Sequence, residues 1–433
     1  MPEAPPITGR HRLLSKDGAA RESGEGALQL DETGLSLTPK GAGPLRIELA
    51  DVDAMQRKEH SLELLLESGE RLELTMLGRR FGELAEGLGG ALREFQAKHL
   101  LLTEPTGGEA FEGEVATDGK PGPAQLRVYA TSLAILPVQG VPFSVPFGEL
   151  TAVSFEEQRW AVELGLGARK VTLTRLGKQT QPFLRLLETR LFELRSRNSG
   201  AVAYLLPTVP SLKLRSVGQI LLDGVPVRRG QLDAIDPGIW TALLGSAVVK
   251  SLRDEVELLS QRSPAEEIAL GLKETNFLQD DERLPDEPDE SAPAEPTPLS
   301  GRVIWLAFPL VDADRSRPGN AIAVEVASRE GRATYLFRIA PPDVYRAASL
   351  EALTGHIREQ IRVVSQALVA MHFRREPIYL DDEAIRAPRF GRYRLALRLS
   401  EPLKSARAAF LGRAIHGAHW QAQLEQALTK AVS

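Results

Sequence analysis

Apolar and polar side chains alternate through the N-terminal half of this chain. Leu28/Leu30, Leu35/Leu37, Leu45/Ile47/Leu49, Leu62/Leu64/Leu66 and Leu72/Leu74/Met76 each follow a period of two, as strands with one buried face do. Turn-forming residues part these runs: Asp31-Glu32-Thr33-Gly34, the glycine-rich stretch from Pro39 to Pro44, and Ser68-Gly69. After Gly78 the period lengthens. Phe81, Leu84, Leu88, Leu92 and Phe95 recur every three or four residues, which predicts one face of an amphipathic helix. The same change comes again further on, with strands up to Leu176 and then Phe183, Leu187, Leu191 and Leu194 at helical spacing.

The recurrence is an internal repeat. Residues 28–54 match residues 126–152 without a gap, at a constant spacing of 98. Leu28 answers Leu126, Leu35 answers Leu133, Leu37 answers Ile135, Pro39 answers Pro137, Pro44 answers Pro142 and Ala54 answers Ala152. At the same spacing the match reads on through Leu62/Trp160, Leu64/Val162 and Leu66/Leu164. A repeat of this length uses one supersecondary plan twice. We expect two modules, residues 1–104 and 105–204, with Leu35 and Leu133 at equivalent places. A one-residue slip would turn a strand's buried face outward.

Several antiparallel strands closed by a terminal helix, in a module of this length, resemble the pleckstrin-homology-like superfold. The tandem is similar to the double modules of some histone chaperones. The resemblance covers roughly residues 10–200 and rests on element order and repeat length. It implies a small barrel-like sheet capped by its C-terminal helix. Phosphoinositide-binding members of the superfold carry a K-x(n)-[KR]-x-R signature near the first two strands. Here Arg10, Arg12, Lys16 and Arg21 occupy that neighbourhood, but Glu22 and Glu25 interrupt them. The second module has no comparable cluster, so head-group binding lacks its electrostatic basis. Protein binding is what the resemblance implies.

Residues 205–278 read as a small helical unit. Leu212, Leu214, Val217, Ile220 and Leu221 approximate a helix face that Asp223-Gly224 ends. Ser263-Pro264-Ala265-Glu266 has the form of a helix start. The stretch around Gly224 and Pro237-Gly238-Ile239-Trp240 admits a helix-turn-helix, with Trp240 as a core anchor. Residues 205–300, however, carry 9 basic and 17 acidic groups, and DNA contact demands a basic surface. In residues 279–300 acidic side chains alternate with Pro285, Pro288, Pro293, Pro296 and Pro298. Charge repulsion and proline stiffness predict an extended, disordered linker there, a spacer or else a clamp for a basic surface.

Residues 301–433 predict an α+β domain. Strand-like runs cover 303–311, 321–327 and 333–339, and Ser328-Arg329-Glu330-Gly331-Arg332 suits a hairpin loop. A long helix is expected over 350–373 and further helix over about 403–431. Residues 392–400 fit either a strand or a helix, and in both cases Arg394 and Arg398 lie on a basic stripe. Arg386, Arg389, Arg392, Arg407 and Arg413 extend it in sequence. His416 and His419, three apart on the expected helix, are weak candidates for a metal, with Asp381, Asp382 and Glu383 as possible carboxylates. No nucleophile elbow, Walker loop or dinucleotide fingerprint occurs, and Gly87-Leu88-Gly89-Gly90 lies inside a helix pattern.

Composition narrows the picture. At 433 residues, 42% hydrophobic and 26% charged, the chain suits a multidomain globular protein. No apolar run approaches the roughly 18–20 residues that span a bilayer, so membrane insertion is not expected. The N-terminus does not read as a secretory signal. The absence of cysteine excludes disulfides, thiolate nucleophiles and cysteine-held metals, and it suits the cytoplasm. Charge is uneven: residues 1–104 carry 13 basic and 18 acidic groups, whereas residues 301–433 carry 20 and 13. The expected function is a non-enzymatic cytoplasmic scaffold or adaptor that binds protein partners and needs no cofactor. One alternative is nucleic-acid or basic-protein binding through the arginine stripe or the acidic linker. Another is a metal-dependent hydrolase in the C-terminal domain.

Overall fold

In a computed structural model of the chain, residues 6–41, 43–117, 121–167, 169–246, 252–275, 297–314, 317–327 and 333–432 are described. The first alternating runs form seven strands: β1 (Ile7–Leu14), β2 (Ala20–Leu30), β3 (Gly34–Pro39), β4 (Leu45–Glu48), β5 (Val52–Arg57), β6 (Ser61–Leu66) and β7 (Arg71–Thr75). They make one antiparallel sheet in the order β4-β3-β2-β1-β7-β6-β5. The sheet is a half-barrel followed by helix α1 (Phe81–His99). The alternation places Leu28, Leu35, Leu37, Leu62, Leu64, Leu72 and Leu74 in a core that Leu84, Leu88 and Leu92 of α1 share. The β2–β3 turn is held by its own side chain: Asp31 Oδ1 accepts the Thr33 amide at 2.8 Å and the Gly34 amide at 3.1 Å, an Asx turn. Hydrogen bonds from Arg46 hold the Asp31 carboxyl well below its ordinary range.

The second repeat has the same plan: β8 (Gly107–Ala116), β9 (Gly122–Tyr129), β10 (Ser132–Pro137), β11 (Phe143–Pro146), β12 (Ala152–Glu156), β13 (Ala161–Leu166), β14 (Arg169–Thr174) and helix α2 (Thr180–Leu205). Its order is β11-β10-β9-β8-β14-β13-β12. Leu35 pairs with Leu30 and Leu133 with Val128, so the spacing of 98 holds there as expected. It does not hold through Leu62/Trp160. Four residues separate the paired Arg57 and Leu62, whereas six separate Phe155 and Val162. Leu62 is therefore equivalent to Val162, and Trp160 sits in the longer hairpin turn, half exposed. An insertion of two residues keeps the period of two in phase, which is why the sequence match hides it. The next turn is one residue shorter in the second repeat, so Leu72 answers Val171. At that spacing of 99, Gly78 and Gly177 open their helical segments with φ of 58° and 57°.

Contacts divide the chain into two compact units: residues 1–145, 150–184 and 386–400, and residues 146–149, 185–385 and 401–433. Within the first, the end of α1 meets the second repeat: Ala97 and Leu102 pack with Tyr129, Ala134 and Leu136. Glu94 pairs there with Arg127, at 3.0 Å for one of the two bonds.

The second unit holds a six-stranded antiparallel sheet, β15 (Val227–Arg228), β16 (Ala269–Glu274), β17 (Arg302–Leu310), β18 (Ala321–Ala327), β19 (Ala333–Arg338) and β20 (Phe410–Ile415), in sequence order. On one face Leu270, Leu306, Phe308, Ala323 and Leu336 pack with Val217, Trp240, Leu259, Trp420 and Leu424. Trp240 is a core anchor, as expected. On the other face the Trp305 indole donates to Ser365 at 3.1 Å, a residue of the helix Leu350–Ala370.

Two expectations change here. Ser263-Pro264-Ala265-Glu266 opens only a single turn, Ala265–Glu267, and strand β16 follows. Every residue of β16 is buried, and a strand covered on both faces loses its alternation. The helix expected over 403–431 is two helices, Glu401–Ala409 and Trp420–Val432, with β20 between them. Gly412 and Gly417, at φ of 151° and 144°, break the helical run. Residues 392–399 are helical, a 3-10 stretch Pro388–Tyr393 leading into the helix Arg394–Leu399. The hairpin loop expected at 328–332 and residues 279–296 of the acidic segment lie outside the described residues. Among the described residues, no helix is long and apolar enough to cross a membrane.

Candidate functional site

The chain concentrates facing opposite charges at one corner of the first repeat. A single turn, Leu49–Asp51, joins β4 to β5. It exposes the Ala50 carbonyl and sets Asp51 beside Asp53 of β5 and Glu67 beyond β6. The Asp53 carbonyl accepts from Gln96 of α1 at 3.3 Å. The helix Arg394–Leu399 packs against α1 and brings two guanidinium groups to this corner. Arg398 donates through Nε to Asp53 at 2.9 Å and through Nη2 to the Ala50 carbonyl at 2.7 Å, while its Nη1 lies 3.2 Å from Glu67. Two nitrogens of the fork donate hydrogen bonds in fixed directions while Nη1 only faces a carboxylate, an arrangement a lysine cannot reproduce. Arg394 pairs with Glu67 and lies 3.4 Å from Asp51. Its hydrogen bond to Glu67 raises the Arg394 pKa.

The equivalent turn of the second repeat, Phe147–Glu149, belongs to the second compact unit. Inside that unit Glu149 accepts from Gln366 at 3.1 Å. Gly148 lies so close to Asp223 that a Cβ on it would stand 1.8 Å from the Asp223 carbonyl oxygen. In both repeats, then, the turn after the fourth strand receives another segment of the chain.

The remaining arginines of the stripe go separate ways. Arg386 is exposed; Arg389 and Arg392 lie over the rings of Phe390 and Tyr393 at 4.7 and 4.9 Å. These three share the first unit with Arg394 and Arg398, whereas Arg407 and Arg413 belong to the second. Arg407 donates to the carbonyls of Pro377 and Leu380 at 2.6 and 2.8 Å and pairs with Asp382. Arg413 stacks 4.1 Å above the ring of Tyr379.

His416 and His419 lie in the turn between β20 and the helix Trp420–Val432, so they are not on one helix face as expected. His416 Nε2 stands 3.2 Å from the buried carboxylate of Glu325 and its Nδ1 3.7 Å from Glu255. Glu325 also accepts from the Thr334 hydroxyl, which accepts from the Trp420 indole at 2.6 Å. His419 is exposed. Among the described residues no group of three or more potential ligands is placed to hold a metal ion. Asp51, Asp53 and Glu67 carried no motif in sequence; the acidic balance of residues 1–104 was their one trace.

No family model matches the chain, and no curated protein matches it. Among solved structures, the C-terminal domain of an unknown protein from Leishmania infantum is similar over 24% of this chain and 96% of its own, at 16% identity and a TM-score of 0.20. The Spt16D Pob3N heterodimer is similar over 38% of this chain and 85% of its matched chain, at 14% identity and a TM-score of 0.16. Likenesses this slight carry no argument about function. The fold itself is a half-barrel followed by a helix, built twice.

Proposed function

We propose that this chain is a non-enzymatic cytoplasmic interaction protein, a scaffold or adaptor built on tandem pleckstrin-homology-like modules at residues 1–104 and 105–204. One observation carries the reading: the turn after the fourth strand receives a chain segment in both repeats. One surface used twice, with unrelated segments, is the behaviour of a docking surface rather than of a reaction centre. The pairing of Arg394 and Arg398 with carboxylates also supports this reading over polyanion binding, because charges already matched release few counterions.

The test uses as bait in the native cell the full chain carrying Arg394→Ala/Arg398→Ala, which frees the corner of its own arginines, beside the same chain with Asp53→Lys/Glu67→Lys added, both checked for fold by circular dichroism. A protein retained by the first and lost by the second supports the proposal. Identical captured sets from the two baits would overturn the corner as the docking surface.

A further inference from the structure

The corner on the first repeat already shows which ligand it fits, because the chain's own segment sits in it. Residues 386–400 belong to the first compact unit although the residues before and after them belong to the second. The segment is thus an excursion of the chain. Its helix, Arg394–Leu399, has six residues. Isolated helices shorter than about 12–15 residues are marginal in water, so this one is helical because it is docked. Phe390, Tyr393, Leu395 and Ala396 are buried, while Arg394 and Arg398, four apart and hence on one helix face, reach the carboxylates. The outer pair of the contact is solvated, with the Arg394 side chain 52% exposed and Asp51 38%, whereas Arg398 is 17% exposed. Solvated ion pairs of this kind hold weakly.

Resting on the interaction reading above, we propose that the corner of Asp51, Asp53, Glu67 and the Ala50 carbonyl is a docking site for a helical segment of a protein partner that bears arginines four residues apart. Residues 386–400 occupy the site in cis and must be displaced for the partner to enter. Recognition is for arginine rather than for positive charge, since Arg398 donates to a carboxylate through Nε and to a carbonyl through Nη2, a planar fork that an ammonium lacks. The tethered segment competes at an effective concentration of about millimolar, so the closed protein shows little affinity for a partner in trans.

The probe is a fluorescent synthetic peptide with the sequence of residues 386–400. Full-length protein carrying Arg394→Glu/Arg398→Glu, which ejects the cis segment, should bind it at least about tenfold more tightly than the unaltered protein. A peptide with lysine at both arginine positions should bind the opened protein several-fold more weakly than the arginine peptide. If the opened variant is folded and binds no better than the unaltered chain, the proposal fails. Equal binding of the lysine and arginine peptides overturns the recognition mode. Should the variant not fold, hydrogen exchange on the unaltered protein decides: excess peptide should speed exchange of amides 394–399, and unchanged protection rejects displacement. Failure here together with a corner-dependent capture in the cell would leave the interaction reading standing with a different ligand. Failure of both would remove it.

Discussion

Gly271, in the middle of β16, has no room for a methyl group. A Cβ there would stand 2.0 Å from Cζ2 of Trp305 and 2.3 Å from its Cε2, and Trp305 is pinned by its bond to Ser365. Gly271→Ala should therefore cost about 1–3 kcal/mol through overpacking, read as a lower midpoint in denaturant unfolding. Another residue governs the acid side of stability. Glu267 is buried, and burial alone would raise its pKa. Hydrogen bonds from Arg358, at 2.6 and 3.0 Å, and the charge of Arg228 outweigh burial and lower it below the ordinary 4.5. A carboxyl whose folded pKa is depressed stabilises above its unfolded pKa, and that contribution is lost as pH falls through the folded value. Unfolding curves of the natural protein and of Glu267→Gln should differ near neutral pH, and the difference should shrink as pH falls below the ordinary 4.5 and through the lower folded value; a constant gap down to strong acid would contradict this account.

At the scale of elements, each half-barrel depends on the helix that follows it. Leu88 of α1 is 1% exposed within the core of the first sheet, so Leu88→Ala should destabilise the chain by about 2–5 kcal/mol. Near-zero cost in calorimetry would mean that the sheet keeps its core without the helix. The strands and both helices were legible in sequence because period two and period 3.6 differ plainly when one face is buried. Trp160 was misplaced for the converse reason. A two-residue insertion preserves the alternation, and only strand pairing reveals that Leu62 corresponds to Val162. Strand β20 was missed because the apolar residues flanking it continue a helical period that Gly412 and Gly417 interrupt.

For the molecule as a whole, the decisive pairing spans the acidic segment. Strand β16 lies before it and β17 after it, yet six residue pairs join them, from Ala269↔Ala307 to Glu274↔Arg302. Buried charges reinforce the join: Arg302 pairs with Glu274 at 2.9 Å and lies 3.9 Å from Asp223. A protease site inserted after Asp286 and then cut should yield two fragments that still co-elute in size exclusion under native conditions. They should part only in denaturant. Separation without denaturant would show that the sheet does not hold across the break.

What the sequence determined by itself was everything set by neighbours along the chain. The alternation specified two half-barrels, the change of period specified their helices, and the repeat showed that one plan is used twice. Its charge balance told that acidic and basic halves exist, without saying that they meet. Tertiary structure alone decided that β16 joins β17, that residues 386–400 lodge with the first unit, and that Arg394 and Arg398 face Asp51, Asp53 and Glu67. The physical reason is one of range. Backbone periodicity follows from contacts a few residues apart, whereas pairing and charge complementarity join residues as far apart as Asp53 and Arg398, and no local pattern encodes which distant partner completes them.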